Sequence, residues 1–258
     1  MPEGHTIHRA ARDHAALLRG QRVAALSPQG RFADGAAAID GQHCTGTGAV
    51  GKHLFYHFEH GLSVHIHLGL GGYFTRHAQP VDPPRDVVRL RMEVAAGALD
   101  IIGPNTCEIL TAEEVAAFPL RYGPDLLADP PDPDRAIARI LKSRAPIATL
   151  LMDQKVISGI GNIYRAEILW LRRIHPRRRG VDMTEPELRQ LWDEMRALLQ
   201  IGVTHNAIIT NVALPQAGEV IAERTNIFAQ DTCPRCETPI EKVKHAARTL
   251  YFCPGCQV

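Results

Sequence analysis

Four cysteines close to the C-terminus constrain the fold of this chain more than any other feature. They form two pairs, Cys233-Pro-Arg-Cys236 and Cys253-Pro-Gly-Cys256, with 16 residues between the pairs. This spacing is typical of structural zinc sites, in which four thiolates hold the metal tetrahedrally and leave no position open for water. Two redox pairs are disfavoured, because neither pair precedes a thioredoxin-like helix. The sequence therefore predicts one structural zinc ion per chain and places any chemistry elsewhere.

The residues between these pairs predict the small structural unit that zinc would stabilise. A unit of about 26 residues buries too little apolar surface to fold alone, so zinc would supply much of its folding free energy. Apolar residues between the pairs predict a β-hairpin that joins the two cysteine turns. These residues are Ile240, Val243, Leu250 and Phe252. The remaining cysteines, Cys44 and Cys107, are interpreted as buried spectators.

The charge balance excludes some partners. The chain has 258 residues, with 29 basic and 28 acidic side chains and a formal net charge of +1. A polyanion would therefore have to meet local basic patches, since the chain has no global positive field. No apolar run approaches the ~18–20 residues that span a bilayer, and the first residues lack the pattern of a secretory signal. We expect a soluble, cytoplasmic chain with no membrane partner.

The hydrophobic period changes along the chain. Apolar residues at helical spacing predict a helix over residues 4–19, with Gly20 as its stop. From about residue 22 to 110, alternation with period two predicts half-buried antiparallel strands, as in a β-sandwich or barrel. The proline-rich segment 129–134 predicts a linker, after which the helical period returns. The pattern indicates an α+β multidomain chain, with strands first and helices second.

One helix in the second part has a clear start. Thr184 and Glu187 match a capping box, and Gly202 is the expected end of the helix that follows. Residues 203–227 match neither period. This segment has no assignment from its pattern.

A basic stretch in the second part follows a glycine-rich turn. Residues 165–180 contain six arginines and one glutamate, and Ser158-Gly-Ile-Gly-Asn162 precedes them. N–H groups and the helix dipole at such a turn can form an anion site, so the region is a candidate grip for a phosphodiester backbone. A solvated arginine face beside an ordinary glycine turn explains the same pattern, and both interpretations stay open.

The start of the chain offers a candidate nucleophile. Removal of the initiator methionine would make Pro2 a secondary α-amine, and α-amines titrate near ~7.7–8.0, against ~10.4 for lysine. Such an amine could attack an electrophilic sugar carbon and form an iminium, while the neighbouring Glu3 carboxylate moves protons. Two residues alone do not distinguish this chemistry from an ordinary N-terminus.

Six short motifs that run from one end of the chain to the other occur together in one family. They are Met1-Pro-Glu-Gly4, Gly51-Lys52-His53, His67-Leu-Gly-Leu70-Gly-Gly72, Leu151-Met-Asp-Gln154, Gly159-Ile-Gly-Asn162-Ile-Tyr-Arg-Ala-Glu167 and Arg248-Thr-Leu-Tyr-Phe-Cys-Pro-Gly-Cys-Gln257. In this order they resemble the formamidopyrimidine-DNA glycosylase/endonuclease VIII family, and the short basic C-terminus is closer to the endonuclease VIII (Nei) branch. The joint match is more specific than any single motif.

The resemblance implies a two-lobed enzyme of base excision repair that is both a DNA glycosylase and an AP lyase. The expected domains are a catalytic β-sandwich with the N-terminal helix at 1–128, a helix-two-turn-helix DNA-binding domain at 129–225 and a zinc β-hairpin at 226–258. Damaged double-stranded DNA, with single-stranded DNA as an alternative, would lie between the lobes of a monomer. The damaged nucleotide would turn out toward the N-terminus, and β- or β,δ-elimination would cut the strand.

The resemblance also implies roles for individual residues. Pro2 matches the N-terminal nucleophile of the family and Glu3 its proton-transfer carboxylate. Leu70 matches an apolar wedge that fills the space left by the extruded base. Four residues match those that contact the phosphates around the lesion: Lys52, His67, Asn162 and Arg248. Lys52 is also grouped with the catalytic residues.

Departures from the family pattern bear on the substrate. Residues 99–110 contain no Arg-x-Phe of the kind that the purine-directed branch inserts opposite the lesion, and Thr6 stands where a glutamate is usual. Gly69 and Gly71 flank Leu70, where the endonuclease VIII type has bulkier residues. Because the short basic C-terminus is closer to the endonuclease VIII branch, oxidised pyrimidines are the expected substrates. The two glycines are expected to weaken opposite-base choice or duplex activity.

Several alternatives remain open at this point. The chain could prefer oxidised purines or formamidopyrimidines, or act mainly as an AP lyase. It could also be a non-catalytic zinc-containing DNA-binding protein, which would form no borohydride-trapped complex with abasic DNA. Finally, His65 and His67 share one strand face and could bind a second, catalytic metal in a cupin-like metalloenzyme.

Overall fold

A computed structural model describes residues 2–211, 221–245 and 248–258 of the chain. It divides into two compact units, Met1–Leu120 and Arg121–Val258. The division falls ahead of the boundary expected at 128/129. The proline-rich segment predicted as a linker lies inside the second unit and leads into a helix that begins at Pro133, because proline is well tolerated in the first helical turn. The finer division at 225/226 stays a prediction.

The first unit consists of two antiparallel four-stranded sheets and an N-terminal helix. Its elements are α1 (Gly4–Leu18), β1 (Ala24–Leu26), α2 (Ala33–Ile39), β2 (Cys44–Val50), β3 (His53–Phe58), β4 (Ser63–His67), β5 (Tyr73–Ala78), β6 (Val88–Val94), β7 (Gly97–Ile102), β8 (Thr106–Leu110) and α3 (Ala112–Ala117). One sheet has the order β1-β6-β7-β5 and the other β2-β3-β4-β8. Apolar side chains from both sheets, such as Ile66 and Leu99, meet in one core that α1 also joins. The predicted α+β class and its N-terminal β-sandwich are confirmed.

The β4 strand departs from the half-buried pattern that its sequence predicts. Val64 and Ile66 enter the core as expected, but Ser63 and His65 on the other face are buried as well. Phe118 covers that face, with its ring centroid 4.9 Å from that of His65. Polar residues on one face of a strand therefore do not guarantee that this face is exposed to solvent, because a residue distant in sequence can cover it.

The second unit is helical and ends in a hairpin. Its elements are α4 (Pro133–Leu141), α5 (Ile147–Leu150), α6 (Asn162–Leu171), α7 (Glu185–His205), α8 (Ile221–Arg224), β9 (Glu241–His245) and β10 (Arg248–Phe252). Within the described residues, no helix is both long and apolar enough to cross a membrane. Every residue of α6 from Asn162 to Trp170 is buried, so α6 forms the centre of the unit. The predicted hairpin between the cysteine pairs is confirmed as β9 and β10.

The ends of α7 test the capping rules. Thr184 accepts a hydrogen bond from the backbone N–H of Glu187, and the Glu187 side chain accepts one from the backbone N–H of Thr184, as the capping box predicts. The expected end at Gly202 is wrong, because the helix continues to His205. Asn206 ends it instead in the left-handed conformation, with φ of 51°, which asparagine adopts more readily than most residues.

Candidate functional site

The start of α1 fixes the position of the N-terminal residues. Glu3 is the N-cap of the helix, and its carbonyl accepts hydrogen bonds from the backbone N–H groups of Thr6 (3.0 Å) and Ile7 (3.4 Å). The Glu3 side chain is fully buried, whereas Pro2 is half-buried. Burial also lowers the pKa of His5 to about 4. Pro2 therefore lies at the positive end of the helix dipole, beside a buried carboxylate and a neutral imidazole.

Lys52 and His67 lie at the same end of the β2-β3-β4 sheet. Gly51, with φ of 57°, makes the turn that presents Lys52, and the register of the sheet places His53 directly opposite His67. The imidazole rings of His53 and His67 are 4.8 Å apart between centroids. Burial, together with the nearby charges of His65 and Lys52, lowers the pKa of His67. The structure thus brings together the two residues of this unit that the resemblance assigned to phosphate contacts.

A carboxylate and two imidazoles form a relay behind this pair. The Glu108 carboxylate lies 2.9 Å from His65 Nδ1, and His65 Nε2 lies 2.9 Å from His53 Nδ1. In the neutral state of His65, the carboxylate favours the tautomer that donates from Nδ1, and His65 Nε2 then accepts the hydrogen of His53. Burial lowers the pKa of His53 to about 3 and keeps it neutral. Sequence reasoning missed this relay, because the three residues lie on three different strands.

The relay argues against the second metal that the sequence left open at His65 and His67. Both ring nitrogens of His65 lie within hydrogen-bond distance of other residues, Nδ1 of Glu108 and Nε2 of His53. Among the residues that the structure describes, the group of side chains placed to share one metal ion is the four-cysteine cluster. These contacts do not favour a metal at His65.

Leu70 occupies the tip of the turn between β4 and β5. It is 59% exposed, an unusual position for a large apolar side chain. Gly69 has φ of 66°, and a Cβ there would lie 3.0 Å from the Asn105 side chain. A Cβ at Gly72 would lie 2.6 Å from the Leu68 carbonyl oxygen, whereas one at Gly71 would meet nothing within 4 Å. The turn therefore requires glycine at positions 69 and 72 but not at 71.

Asn162 and the strand that carries Arg248 are joined in the second unit. The Asn162 side-chain amide donates to the Thr249 carbonyl oxygen over 2.9 Å, directly after Arg248 on β10. The Asn162 side-chain oxygen accepts a hydrogen bond from Arg165, which is fully buried. Two residues that are 86 positions apart in sequence are thereby held near each other at the N-terminus of α6.

Most of the basic stretch is neutralised by the fold. Arg178 forms a 2.7 Å ion pair with Glu187 and lowers the pKa of that carboxyl to about 2. Arg179 pairs with Asp182 over 2.6 Å. With Arg165 buried as well, the charge asymmetry of residues 165–180 is much smaller on the surface than in the sequence.

Glu167 has a role that no sequence pattern indicated. It is fully buried, and its carboxylate accepts hydrogen bonds from the Thr210 hydroxyl (2.6 Å) and from the backbone N–H groups of Asn226 (2.7 Å), Ile227 (2.8 Å) and Phe228 (2.7 Å). The carboxylate thereby ties two segments to α6. Part of the segment 203–227, which its pattern left unassigned, is residues 212–220, and these are outside the described residues.

The four C-terminal cysteines fit a zinc ion. Their sulfur atoms lie within 4.8 Å of one another, with separations of 3.8 Å for Cys233 and Cys256, 3.5 Å for Cys236 and Cys253 and 3.3 Å for Cys236 and Cys256. A tetrahedron with metal–sulfur bonds of about 2.3 Å has edges of about 3.8 Å. Hydrogen bonds from Thr238 lower the pKa of Cys236 to about 6, which favours the thiolate. When bound, zinc would supply structural cross-linking between the two turns.

The chain has the architecture of a bipartite zinc protein: a β-sandwich with an N-terminal helix is followed by a helical unit with a four-cysteine zinc hairpin. Comparison with known proteins identifies the family. Residues 1–104 match the model of the formamidopyrimidine-DNA glycosylase N-terminal domain, and residues 122–213 match that of the formamidopyrimidine-DNA glycosylase H2TH domain. Residues 231–258 match the zinc finger found in FPG and IleRS, which confirms the predicted structural zinc.

Whole-chain similarity leads to the same family. The "Endonuclease 8 1" protein of Mycobacterium tuberculosis is 42% identical over 269 residues, covering 100% of both chains. The formamidopyrimidine-DNA glycosylase of Chloroflexus aurantiacus is 30% identical, covering 100% of this chain and 98% of that protein. The Lactococcus lactis Fpg in complex with abasic-site DNA has the same fold, with a TM-score of 0.84 at 24% identity and 99% coverage of both chains.

The chain belongs to the formamidopyrimidine-DNA glycosylase/endonuclease VIII family, as its motifs predicted. It is therefore a DNA glycosylase of base excision repair with AP lyase activity. The alternative of a non-catalytic zinc-containing DNA-binding protein is not supported.

Proposed function

We propose that this enzyme excises oxidised pyrimidines from double-stranded DNA and cuts the strand, with Pro2 as its nucleophile. The observation that carries the proposal is the N-terminus of α1, where Pro2 adjoins the buried Glu3 carboxylate. The positive end of the helix dipole disfavours an ammonium group there, so it favours the free amine that attacks carbon. Pro2 and Glu3 are then the catalytic pair.

The chemistry follows from a secondary amine beside a carboxylate. The Pro2 nitrogen forms a bond to C1′, and the bond between C1′ and the base breaks as the base leaves with a proton. Opening of the deoxyribose ring, with proton transfer by Glu3, gives an iminium that acidifies the hydrogens at C2′. Loss of one of these hydrogens expels the 3′ phosphate by β-elimination, and a second elimination would expel the 5′ phosphate.

DNA binding in this proposal depends on residues of both units. We assign Lys52 and His67 in the first unit, and Asn162 and Arg248 in the second, to phosphates around the lesion. A neutral His67 donates a hydrogen bond but adds no charge, so the salt dependence of binding would come mainly from Lys52 and Arg248. Turning the nucleotide out costs a few kcal/mol, least for a poorly stacked damaged base, and these contacts offset that cost.

Oxidised pyrimidines are favoured by the turn between β7 and β8. Only Gly103, Pro104 and Asn105 connect the two strands, which leaves no room for the Arg-x-Phe pair of the purine-directed branch. The relative that is 42% identical carries the name Endonuclease 8 1. The second candidate is a formamidopyrimidine substrate, which the 30% identity to the Chloroflexus aurantiacus enzyme supports. As for partners, we propose a monomer that acts on chromosomal DNA in the cytoplasm.

Leu70 is proposed as the wedge that replaces the extruded base. Apolar wedges inserted between base steps favour kinked DNA without reading its sequence. The exposure of Leu70 suits this role, and glycines on both sides leave the unpaired base on the other strand with little support. We therefore propose weak discrimination among opposite bases.

Borohydride trapping tests the nucleophile. The enzyme should form a covalent complex with abasic duplex DNA, Pro2→Gly should lose most of it, and Cys44→Ser should keep it, because Cys44 lies in the core of the sandwich. Retention of the initiator methionine in active enzyme, shown by mass spectrometry, would contradict the proposal. A panel of duplexes with oxidised pyrimidines, 8-oxoguanine or formamidopyrimidines then separates the two substrate candidates.

A further inference from the structure

Helix α6 and the zinc hairpin are joined at both ends of the helix. At the N-terminal end, the Asn162 amide donates to the Thr249 carbonyl oxygen over 2.9 Å. At the C-terminal end, the indole N–H of Trp170 donates to the Cys233 sulfur over 3.3 Å. The helix therefore spans the distance between a zinc ligand and the strand that carries Arg248.

The turn between Cys233 and Cys236 packs against the C-terminal end of α6, around Trp170. The Arg235 guanidinium carbon lies 3.7 Å from the centroid of the indole ring, a close cation–π contact. The same guanidinium donates to the carbonyl oxygens of Trp170 (2.7 Å) and Leu171 (3.3 Å), so it also caps the negative end of the helix. Trp170 itself is 4% exposed and packs with Ile227 and Ile240. The indole is thus held by packing, charge and backbone contacts in an orientation that directs its N–H at sulfur.

We propose that Trp170 is a positioning residue of the zinc centre that links zinc loading to the placement of Asn162 and Arg248. A thiolate bound to zinc is a better hydrogen-bond acceptor than a thiol, so metal binding strengthens the contact that fixes the end of α6. Hydrogen bonds to metal ligands also hold them in place, and their loss commonly lowers metal affinity by about ten- to a hundredfold. The part that concerns DNA contacts rests on the function proposed above, whereas the part that concerns zinc does not.

The chain contains a matched control for this inference. It has two tryptophans, and the second, Trp192, is equally buried but lies in the helical core, outside the cluster that contains the cysteines. Trp170→Phe removes the N–H and keeps a ring for packing and for Arg235. Trp192→Phe makes the same chemical change where no zinc ligand is contacted. Only the first variant should alter the metal site.

The experiment measures zinc release from the loaded full-length protein to a chromophoric chelator. Release from Trp170→Phe should be about ten- to a hundredfold faster than from the wild type, while Trp192→Phe should release zinc at the wild-type rate. Equal rates for the two variants would overturn the proposal.

A second measurement uses the wild-type protein and does not depend on the folding of a variant. The ¹H–¹⁵N signal of the Trp170 indole should shift on zinc removal more than that of Trp192, and an unmoved Trp170 signal would overturn the proposal.

Binding of abasic duplex DNA tests the link to Asn162 and Arg248. The zinc-loaded Trp170→Phe protein should bind this DNA several-fold more weakly than the loaded Trp192→Phe protein. Equal binding would remove the link to DNA contacts, even if zinc release is accelerated. Because release is measured without DNA, a wrong assignment of Pro2 leaves that result unchanged, so the two failures are distinguishable.

Discussion

Both units bury ionic groups, including the Arg91–Asp100 pair of the first, but among the described residues the buried histidines all lie in the first unit. The sandwich of the first unit buries histidines in their neutral form: His5 and His14 both have their pKa lowered to about 4, chiefly by burial. The ionic groups buried in the second unit include Arg165 and Glu167, which are both fully buried in α6. Burying a charge is tolerable only where many hydrogen bonds compensate for the lost water, and Glu167 has them.

This difference predicts which conditions should destabilise each unit. A neutral buried imidazole resists protonation, so the first unit should be sensitive to mild acid. The second unit depends on a metal and on one satisfied carboxylate, so it should be sensitive to chelators and to loss of that carboxylate. The following changes test this contrast, beginning with the largest expected effect.

Removal of zinc should unfold the hairpin and destabilise the second unit alone. Structural zinc in isolated finger peptides contributes about 10–16 kcal/mol at neutral pH, and the four cysteines flank the β9–β10 hairpin on both sides. Scanning calorimetry with a chelator at pH 7 should show the transition of one unit shifted to lower temperature and the other unchanged. Equal shifts of both transitions would contradict the contrast between the units.

Glu167→Gln should lower the free energy of unfolding of the second unit by about 3 kcal/mol or more. Hydrogen bonds to a charged acceptor contribute about 1.5–3 kcal/mol each, and the neutral amide of glutamine would point a donor at N–H groups that now have an acceptor. Glu185→Gln is the matched control, since Glu185 is exposed and pairs with Arg189 on the surface, where an ion pair contributes little to stability. Urea denaturation measures the free energy of unfolding of both variants. Similar losses for the two variants would mean that the network around Glu167 contributes little.

The stability of the first unit should fall as the pH drops from about 6.5 to 4. The unfolded chain protonates His14 near pH 6.5, whereas the folded chain does so only near pH 4, because burial lowers the pKa. The unfolded state therefore binds more protons throughout this window, and the free energy of unfolding decreases by up to about 3 kcal/mol for this one residue. His14→Gln, which can keep a contact to the Tyr56 hydroxyl now 2.7 Å from His14 Nδ1, should flatten the decrease.

The control for this pH dependence is His60→Asn at an exposed turn position with φ of 63°. It should leave the slope of stability against pH as it is in the wild type. A His14→Gln protein with an unchanged slope would mean that other groups are responsible for the acid sensitivity.

The sequence predicts what depends on local pattern and misses what depends on distant contacts. The strand at β4, the capping box at Thr184 and the cluster of cysteines follow from local pattern, and each is confirmed. The burial of His65 depends on Phe118, more than 50 residues later, which no period in the sequence reveals. The same holds for the neutralised basic stretch, because Arg178 meets its partner Glu187 only once α7 has folded.

The candidate site shows the same limit. Motifs pointed to Lys52, His67 and Asn162, but not to the contacts around them, such as the Glu108–His65 pair and the bond from Asn162 to the Thr249 carbonyl oxygen. These supporting contacts join residues that are distant in sequence, so no local pattern predicts them. Glu167 is an intermediate case, since it lies within a motif but its role becomes visible only through the backbone N–H groups that surround it.

The smallest expected effect on stability is at the turn around Leu70, where a substitution can test opposite-base choice. A side chain at Gly71 meets open space, so Gly71→Gln should change the free energy of unfolding by no more than about 0.5 kcal/mol. Its amide could support the unpaired base opposite the lesion, and excision of one lesion opposite each of the four bases should then differ more than in the wild type. Gly69→Ala is the strained counterpart, costing about 1–2 kcal/mol because φ is 66° and Asn105 lies close. Strict opposite-base selection by the wild type would refute the idea that the glycines weaken it, because the turn would then already support that base.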